Sequence, residues 1–218
     1  MKFLLFLGSV RESTPPKPMR LGKRVSKAIV ANFEQAFPEH EIEVIDALDI
    51  ELNSVFKPEF AFSSKDKPDN LKMLAKKISQ ADGYLMVSPE YNHSMSPALA
   101  NLLNHFGSSL FSYKPSSIVT YSAGQWGGAR AAVSMRTFLS ELGCLPVSAM
   151  IHIPKAQEVF DESGEQEKEE KNNWASYFNR AFSQLVWWAE ACSSQKQKTD
   201  PRKQIKDFKQ DPSERNAP

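Results

Sequence analysis

The feature that most constrains this chain is a regular alternation between apolar runs of strand length and longer segments of helical period. The runs "FLLFLGS", "GYLMVSP" and "SSIVTYSAG" are apolar on successive residues, as in strands that are covered on both faces. "EIEVIDAL" alternates and predicts a strand nearer an edge, and "LPVSAMIHIP" predicts a fifth strand. This alternation predicts one α/β domain, a doubly wound parallel sheet with helices on both faces.

The segments between the strands have the spacing and the end signals of helices. Ser96 and Pro97 supply N-cap and first-turn chemistry for "ALANLLNHF", and Gly143 closes the helix predicted before the fifth strand, over residues 129–142. The other predicted helices cover residues 21–37, 69–81 and 174–192. In the last of these, the stripe expected to face the core consists of Trp174, Phe178, Ala181, Leu185, Trp188 and Cys192. Trp187 falls off that stripe and is a candidate subunit contact.

The domain is expected to span residues 1–192, and a charged, disordered tail is expected over residues 193–218. The formal net charge of +1 argues against a nucleic-acid partner. The apolar run at the N-terminus is too short for a secretory signal, and no stretch reaches the roughly twenty apolar residues of a membrane span. Cys144 and Cys192 match no disulfide or metal-ligand spacing. We therefore expect a soluble cytoplasmic protein with no membrane partner and no metal.

Five such strands are expected to form a flavodoxin-like three-layer sandwich, with a five-stranded parallel sheet of order 2-1-3-4-5. Ligands of such sheets bind outside the carboxyl ends of the strands, where the strand order reverses. The loops richest in turn residues follow strands one, three and four, and they are "GSVRESTPPKPMR", "SPEYNHSMSP" and "SAGQWGG". Because these three strands are neighbours in the sheet, we expect the three loops to line one crevice.

The first loop has the composition of a phosphate-binding segment. Gly8 permits a tight turn, and Ser9 and Ser13 supply hydroxyls. Arg11 and Arg20 supply positive charge, and the helix that follows offers free backbone N–H groups. The alternative is a long surface loop with solvated basic residues. Neither a GxGxxG fingerprint nor a P-loop motif is present.

The second loop suits a flat heterocycle with alternating donors and acceptors. Pro89 and a second proline restrict its backbone, which lowers the entropy lost on ordering. Free N–H groups around Tyr91, Asn92 and His93 are expected to meet ring acceptors, and two of these side chains offer planar faces. Taken by residue type alone, Glu90 is interpreted as an exposed or capping acid and His93 as an ordinary loop residue.

The third loop places three glycines around an aromatic side chain. Gly124, Gly127 and Gly128 allow close approach of the backbone to a ligand, and Trp126 adds a ring. A simple strand-to-helix turn uses glycines in the same way, so this loop alone leaves both interpretations open.

Together, "GSVR", "PEYNHSMSPALANLLNHF" and "YSAGQWGGARA" resemble the NADPH-dependent FMN reductase family. This is the flavodoxin-like group that includes quinone and azo-compound reductases, and the similarity covers about residues 1–190. The resemblance implies a non-covalent FMN in the crevice, with its phosphate held by Ser9 and Arg11 and with Ser13 or Arg20 as further ligands. It also implies that the isoalloxazine edge is wrapped by Pro89, Glu90, Tyr91 and Asn92, and that the third side is closed by Ser122, Gly124 and Gly127.

The chain departs from the family pattern at several positions. The family usually has a lysine where Ala100 stands, an aspartate at Asn104 and often a tryptophan at His105. The first loop also carries an insertion, "TPPKPM", which is why Arg20 is considered for the phosphate. The substitutions lie on the helix after the second loop, so they bear on subunit contacts and substrate choice more than on flavin binding.

The resemblance implies an enzyme that passes hydride from NADPH through bound FMN to a quinone, an azo compound, free flavin or a similar small-molecule acceptor by a ping-pong mechanism. The cofactor carries the chemistry, so no catalytic side chain is assigned. Arg130 or a basic residue of the first loop is a candidate for selecting NADPH over NADH. An electron carrier of flavodoxin type and a flavin-free interaction module remain as alternatives. Family members pair or form tetramers through the helices beside the flavin, which implies a homodimer or homotetramer.

Overall fold

The fold is known from a computed structural model, which describes residues 1–13, 16–52, 55–167 and 172–199. In these ranges six strands form one parallel sheet, and their bounds are β1 Lys2–Leu7, β2 Glu41–Asp46, β3 Gly83–Pro89, β4 Pro115–Tyr121, β5 Leu145–Pro146 and β6 Ile151–Ile153. The order is β2-β1-β3-β4-β5, and β6 also pairs with β4. The predicted order and the doubly wound architecture are confirmed.

Helices cover both faces of the sheet. The described helices are α1 Leu21–Ala36, α2 Asp69–Gln80, α3 Pro97–Asn104, α4 Ser108–Phe111, α5 Ala129–Glu141, α6 Ala156–Val159 and α7 Trp174–Lys198, with a short 3₁₀ turn over Glu59–Ala61. One core cluster lies between the sheet and α1, α6 and α7, and the other lies between the sheet and α2, α3 and α5. No helix in the described ranges is long and apolar enough to cross a membrane.

The predicted fifth strand is two short strands rather than one. Leu145–Pro146 and Ile151–Ile153 each pair with β4, and the residues between them leave the strand path. Side chains from two helices hydrogen-bond to the backbone of this interruption. Arg136 donates to the carbonyl oxygens of Val147 and Ser148, and the Oε1 atom of Gln184 accepts the N–H of Ala149. The carbonyl oxygens of Val147 and Ser148 and the N–H of Ala149 therefore have side-chain partners, while the Val147 N–H still donates to Ser116 of β4.

The last helix differs from its prediction in length and in its buried face. It continues to Lys198, so the first residues of the predicted tail, 193–198, are helical, and residues 200–218 lie outside the described part of the chain. Trp188, expected in the core, is 46% exposed, and Cys192 is half-buried. Phe182, Val186 and Ala189 are buried instead. Trp187 is exposed, as its position off the predicted stripe indicated.

Candidate functional site

The loops after β1, β3 and β4 line one cleft of about 470 Å³ at the carboxyl ends of these strands. This convergence is what the strand order predicted. The predicted site residues that line the cleft are Ser9, Arg11, Arg20, Pro89, Glu90, Tyr91 and Ser122. Those that do not line it are Ser13, Asn92, His93, Gly124 and Gly127.

The first loop begins with a glycine because two other elements approach it closely. A Cβ atom on Gly8 would lie 2.5 Å from the Cβ of Leu99 and 2.8 Å from the Oγ of Ser96, both on or beside α3. The Gly8 N–H donates to the carbonyl oxygen of Val87 at 2.9 Å, and the Gly8 carbonyl accepts the hydroxyl of Ser96. Ser96 also caps α3 by accepting the N–H of Leu99. The start of the first loop is therefore fixed to the start of α3.

Arg20, one of the two predicted phosphate-binding arginines, has its charge compensated within the protein. Its side chain is 2% exposed and forms an ion pair with Asp46, the last residue of β2. The same guanidinium donates to the carbonyl oxygen of Ser9. Arg20 thus fixes the backbone of the first loop. Because its guanidinium already pairs with Asp46 and Ser9, a direct contact with a phosphate is not favoured. Ser13 supports this arrangement from outside the cleft, since its hydroxyl accepts the Arg20 N–H at 2.9 Å.

Arg11 differs from Arg20 in that its guanidinium is available. It lines the cleft, its side chain is exposed, and it donates no hydrogen bond within the described part of the chain. An exposed arginine at the mouth of a cleft is well placed to pair with an anionic ligand group, because its planar fork of N–H donors matches a phosphate.

The second loop turns back on itself in a tight turn. Tyr91 and Ser94 exchange two backbone hydrogen bonds, at 2.9 and 2.8 Å, and the residues between them have positive φ angles, 48° at Asn92 and 61° at His93. This is the pattern of a type I′ turn. The prediction of a free Tyr91 N–H is therefore wrong, because Ser94 accepts it. The Asn92 and His93 side chains are exposed at the tip of the turn, away from the cleft lining.

Glu90 lies between the cleft and the side chains of Arg130 and His93. Its Oε1 atom is 3.6 Å from NH1 of Arg130 and 4.0 Å from Nε2 of His93. Its other oxygen, Oε2, is buried and accepts no hydrogen bond from any residue that the structure describes. A buried carboxylate oxygen without a donor is costly, so Oε2 retains an unused acceptor position in a residue that lines the cleft. Of the two interpretations of Glu90, an exposed or a capping acid, the exposed one is wrong, since its side chain is only 17% exposed.

The third loop is organised by the hydroxyl of Ser122. This hydroxyl donates to the carbonyl oxygen of Gly124 at 2.7 Å and accepts the N–H of Gly127 at 3.0 Å. Gly127 has φ +59°, and a Cβ there would meet the backbone of β6 and the residue after it rather than the cleft. Gly128 has φ +75°, and a Cβ there would lie 2.8 Å from the Cβ of Thr120. The glycines thus serve the strand-to-helix turn, and Ser122 is the member of this group on the cleft wall.

Sequence reasoning missed Tyr121, which lies on the cleft wall at the end of β4. The sequence pattern indicates only that it belongs to an apolar strand, although its position directly before the third loop is a usable signal. Burial raises the pKa of the Tyr121 phenol from 10.0 to about 12, while contact with the Ser9 side chain and the charge of Arg20 act in the opposite direction. The phenol therefore remains protonated. A Cβ on Gly22 would collide with its oxygen, which explains the glycine in the first turn of α1.

The fold and the cleft define a flavodoxin-like α/β protein with a candidate ligand site at the carboxyl ends of the strands. The chain matches the family model for NADPH-dependent FMN reductase over residues 1–158. It therefore belongs to the NADPH-dependent FMN reductase family.

Comparisons with individual proteins agree with this assignment. The chain is 35% identical over 101 residues to an NAD(P)H-dependent FMN reductase of Pseudomonas aeruginosa. The aligned residues are 44% of this chain and 55% of the relative. It is 31% identical over 103 residues to a quinone reductase of Pseudomonas putida, with the same two coverages. The chain thus spans about half the length of these curated relatives. A solved flavoenzyme, an NAD(P)H:(acceptor) oxidoreductase of Paracoccus denitrificans, shares the fold with a TM-score of 0.67 and 20% identity over 87% of this chain and 97% of that one.

Proposed function

We propose that this chain is an FMN-dependent NAD(P)H oxidoreductase that reduces a quinone, an azo compound, free flavin or a similar small-molecule acceptor. The observation that carries the proposal is the cleft itself. Three loops from the carboxyl ends of three adjacent strands surround about 470 Å³, a volume within the usual range of small-molecule sites. Membership of the family supplies the cofactor and the reaction class.

The groups left without partners at the cleft fit the two ends of FMN. Arg11 offers N–H donors to an anion, which suits the phosphate. Ser9 lies beside it on the cleft wall, with its carbonyl held by Arg20 and its hydroxyl in contact with Tyr121. The buried Oε2 atom of Glu90 accepts no hydrogen bond from the described residues, and a flavin ring carries an N–H donor for such an acceptor. The donor set and the acceptor are thus complementary to the cofactor.

In this proposal the protein binds and orients the cofactor and its substrates. FMN, when bound, supplies the two-electron chemistry between NAD(P)H and the acceptor. Arg20 positions the backbone of Ser9 through its hydrogen bond to that carbonyl. Pro89 and Tyr91 form the wall opposite the first loop, and Ser122 forms the third side. Tyr121 remains a protonated hydroxyl on the cleft wall, because burial raises its pKa to about 12.

The colour of the purified protein and its response to NADPH test the proposal. A protein that retains FMN, or takes it up in a titration, and whose flavin absorbance bleaches with NADPH under anaerobic conditions supports the reductase. Bound FMN that NADPH and NADH leave oxidised would instead indicate the electron carrier. A protein that binds no FMN in titration would contradict the proposal and would favour the alternative of a flavin-free interaction module. A panel of quinones, azo dyes and free flavin then identifies the acceptor.

We further propose that the chain forms a homodimer or homotetramer through the helices beside the cleft. Exposed apolar side chains on this side of the molecule support the proposal, and they include Val133 on α5. Light scattering after size exclusion should give a mass of two or four chains, and Val133→Glu should shift it toward the monomer. Met73→Glu, at an exposed position on α2, is the matched control. A monomeric mass for the unmodified protein would contradict the proposal.

A cytoplasmic location is also proposed. Its support is that Cys144 and Cys192 are free thiols, as is usual in a reducing compartment. Fractionation of cells that produce the full chain would test it, since recovery outside the cytoplasm would contradict it.

A further inference from the structure

Arg130 and Trp126 lie together at the edge of the cleft, on the third loop and the first turn of α5. The guanidinium carbon of Arg130 is 5.5 Å from the centre of the Trp126 ring, and its NH1 atom is 3.6 Å from the cleft residue Glu90. Trp126 is 62% exposed, and the Arg130 side chain is 49% exposed. An aromatic ring and a cation of this kind, both open to solvent beside a cleft, are not needed for the core of the fold.

We propose that Trp126 and Arg130 form a second subsite, outside the FMN position, for a planar aromatic ring that carries an anionic group. The proposal rests on the proposed function, because the subsite would hold a substrate next to the flavin. The ring of the ligand would stack on Trp126, and its anion would pair with Arg130.

The hydrogen bonds of the arginines single out Arg130. In the part of the chain that the structure describes, the guanidinium groups of four arginines donate to backbone carbonyl oxygens, and they are Arg20, Arg24, Arg136 and Arg180. Within the same ranges, Arg11 and Arg130 donate no hydrogen bond. Arg11 lines the cleft and Arg130 lies beside it in contact with Glu90, so the two guanidinium groups can serve two separate anions. Arg11 faces the predicted phosphate position of the cofactor, which leaves Arg130 for an anion of a substrate.

The contact between Arg130 and Glu90 orients the guanidinium and leaves most of its N–H donors available. At 3.6 Å the two atoms are farther apart than the 2.7–2.9 Å typical of a charge-assisted hydrogen bond. Glu90 approaches the NH1 side, and arginine has further donors on its other nitrogen atoms. An anion that reaches the solvent side can therefore form short hydrogen bonds that the carboxylate does not occupy.

The backbone that carries Trp126 is fixed, which suits a stacking platform. The Trp126 carbonyl accepts the N–H of Ala129 at 3.1 Å, and Gly127 and Gly128 follow in left-handed conformations with φ +59° and +75°. Ser122 holds the same turn through the N–H of Gly127. The ring is thus presented to solvent by a turn that these hydrogen bonds hold in place, and stacking a ligand on it costs little further ordering.

Two sources of the ligand share this chemistry. One is the adenosine half of NADPH, where a 2′-phosphate lies near a planar adenine. The other is an electron acceptor with an acidic group on an aromatic ring, such as a sulfonated or carboxylated quinone. The geometry points to the shared pattern, and the arms of the experiment distinguish the sources.

The first arm measures binding to purified protein by calorimetry, with adenosine 2′,5′-bisphosphate and adenosine 5′-monophosphate as probes. If the adenosine source is correct, the bisphosphate binds at least about tenfold more tightly, and Arg130→Gln abolishes this ratio while Arg130→Lys keeps part of it. Trp126→Leu should weaken both probes, and binding of the bisphosphate should quench tryptophan fluorescence less in that variant than in the unmodified protein. Arg180→Gln and Trp187→Leu are the matched controls, because these side chains lie elsewhere on the surface.

The second arm compares naphthoquinone sulfonate with unsubstituted naphthoquinone as acceptors. If the acceptor is the ligand, Arg130→Gln raises KM for the sulfonate about tenfold more than it raises KM for the unsubstituted quinone. The inference is overturned if the unmodified protein distinguishes neither the two adenosine probes nor the two quinones. It is also overturned if Arg130→Gln changes neither the affinity ratio of the probes nor the KM ratio of the quinones. The calorimetric arm does not require FMN, so failure of the proposed reductase activity is distinguishable from failure of this subsite.

Discussion

Arg20 and Asp46 form a buried ion pair between the end of the first loop and the end of β2. Their side chains are 2% and 11% exposed, so the pair is shielded from water. Because Arg20 also donates to the carbonyl oxygen of Ser9, the pair connects an edge strand of the sheet to the cleft wall. By residue type, Arg20 is a candidate to bind an anionic ligand. In the structure it instead holds the first loop, which lines the proposed ligand site.

Removing one member of this pair should be strongly destabilising. In Asp46→Asn the buried guanidinium of Arg20 loses its counter-charge, and we expect the free energy of unfolding to fall by about 3–5 kcal/mol. Denaturant unfolding followed by circular dichroism measures it. Asp49→Asn, at an exposed position shortly after β2, is the control and should change stability by less than about 0.5 kcal/mol. A loss below about 1 kcal/mol in Asp46→Asn would show that water or another group compensates Arg20.

Arg11 should contribute to FMN affinity rather than to stability. Its guanidinium lines the cleft without an internal hydrogen bond in the described residues, so Arg11→Ala removes a ligand contact and breaks no hydrogen bond among those residues. Loss of one charge-assisted hydrogen bond is worth about 1.5–3 kcal/mol, which corresponds to roughly a 10- to 150-fold weaker Kd. Fluorescence titration of the apoprotein with FMN measures this. Lys23→Ala, at an exposed position of α1 away from the cleft lining, is the control. An unchanged Kd in Arg11→Ala would remove Arg11 from the site.

Gly22 and Tyr121 should be coupled energetically. A Cβ on Gly22 would collide with the Tyr121 hydroxyl and lie 2.8 Å from the Cβ of Ser9, so Gly22→Ala should cost about 1–3 kcal/mol through overpacking. In a Tyr121→Phe background the same change should cost less by at least about 0.5 kcal/mol. The measurement is a double-mutant cycle of unfolding free energies. Gly124→Ala is the control, since a Cβ there meets nothing within 4 Å. Strict additivity of the two changes would disprove the contact.

The strand order and the location of the cleft could be predicted because both follow from local patterns. Continuous apolar runs mark strands covered on both faces, and such strands fix the sheet and bring the three loops to one end. The split of the last strand could not be predicted. It depends on Arg136, which donates hydrogen bonds to the backbone of the interruption, and on Gln184, which accepts one. Both residues lie in helices elsewhere in the sequence.

Individual roles at the site were harder to predict than the site itself. The sequence shows that Arg11 and Arg20 are both basic residues of one loop, but it does not show that Asp46 neutralises the second of them. Nor does it show that Ser94 accepts the N–H of Tyr91, which withdraws that donor from the ligand. Both outcomes depend on pairing between residues in the folded chain, and residue type alone does not determine such pairing.

Ser96 should matter for stability because it serves two elements at once. Its hydroxyl accepts the N–H of Leu99 at 3.1 Å and donates to the carbonyl oxygen of Gly8. Ser96→Ala leaves both groups buried without this partner, so we expect a loss of about 1–3 kcal/mol. Thermal and denaturant unfolding measure it. Ser134→Ala is the control, because within the described ranges that hydroxyl bonds only to the half-buried Ser94. If the two variants were equally stable, the link between the first loop and α3 would be energetically unimportant.

The buried phenol of Tyr121 should make the protein less stable at alkaline pH. Its pKa is about 12 in the folded protein against 10.0 ordinarily, so the folded state keeps a proton that the unfolded chain releases. The stabilisation from this group is therefore complete below pH 10, and it is lost as the pH rises from there toward about 12. By about pH 11 the loss amounts to roughly 1 kcal/mol. Urea unfolding at a series of alkaline pH values should give a shallower decline for Tyr121→Phe than for the unmodified protein. Tyr91→Phe, which removes an exposed hydroxyl, should follow the unmodified curve. Parallel curves for all three proteins would mean that the Tyr121 phenol ionises as readily in the folded protein as in the unfolded chain.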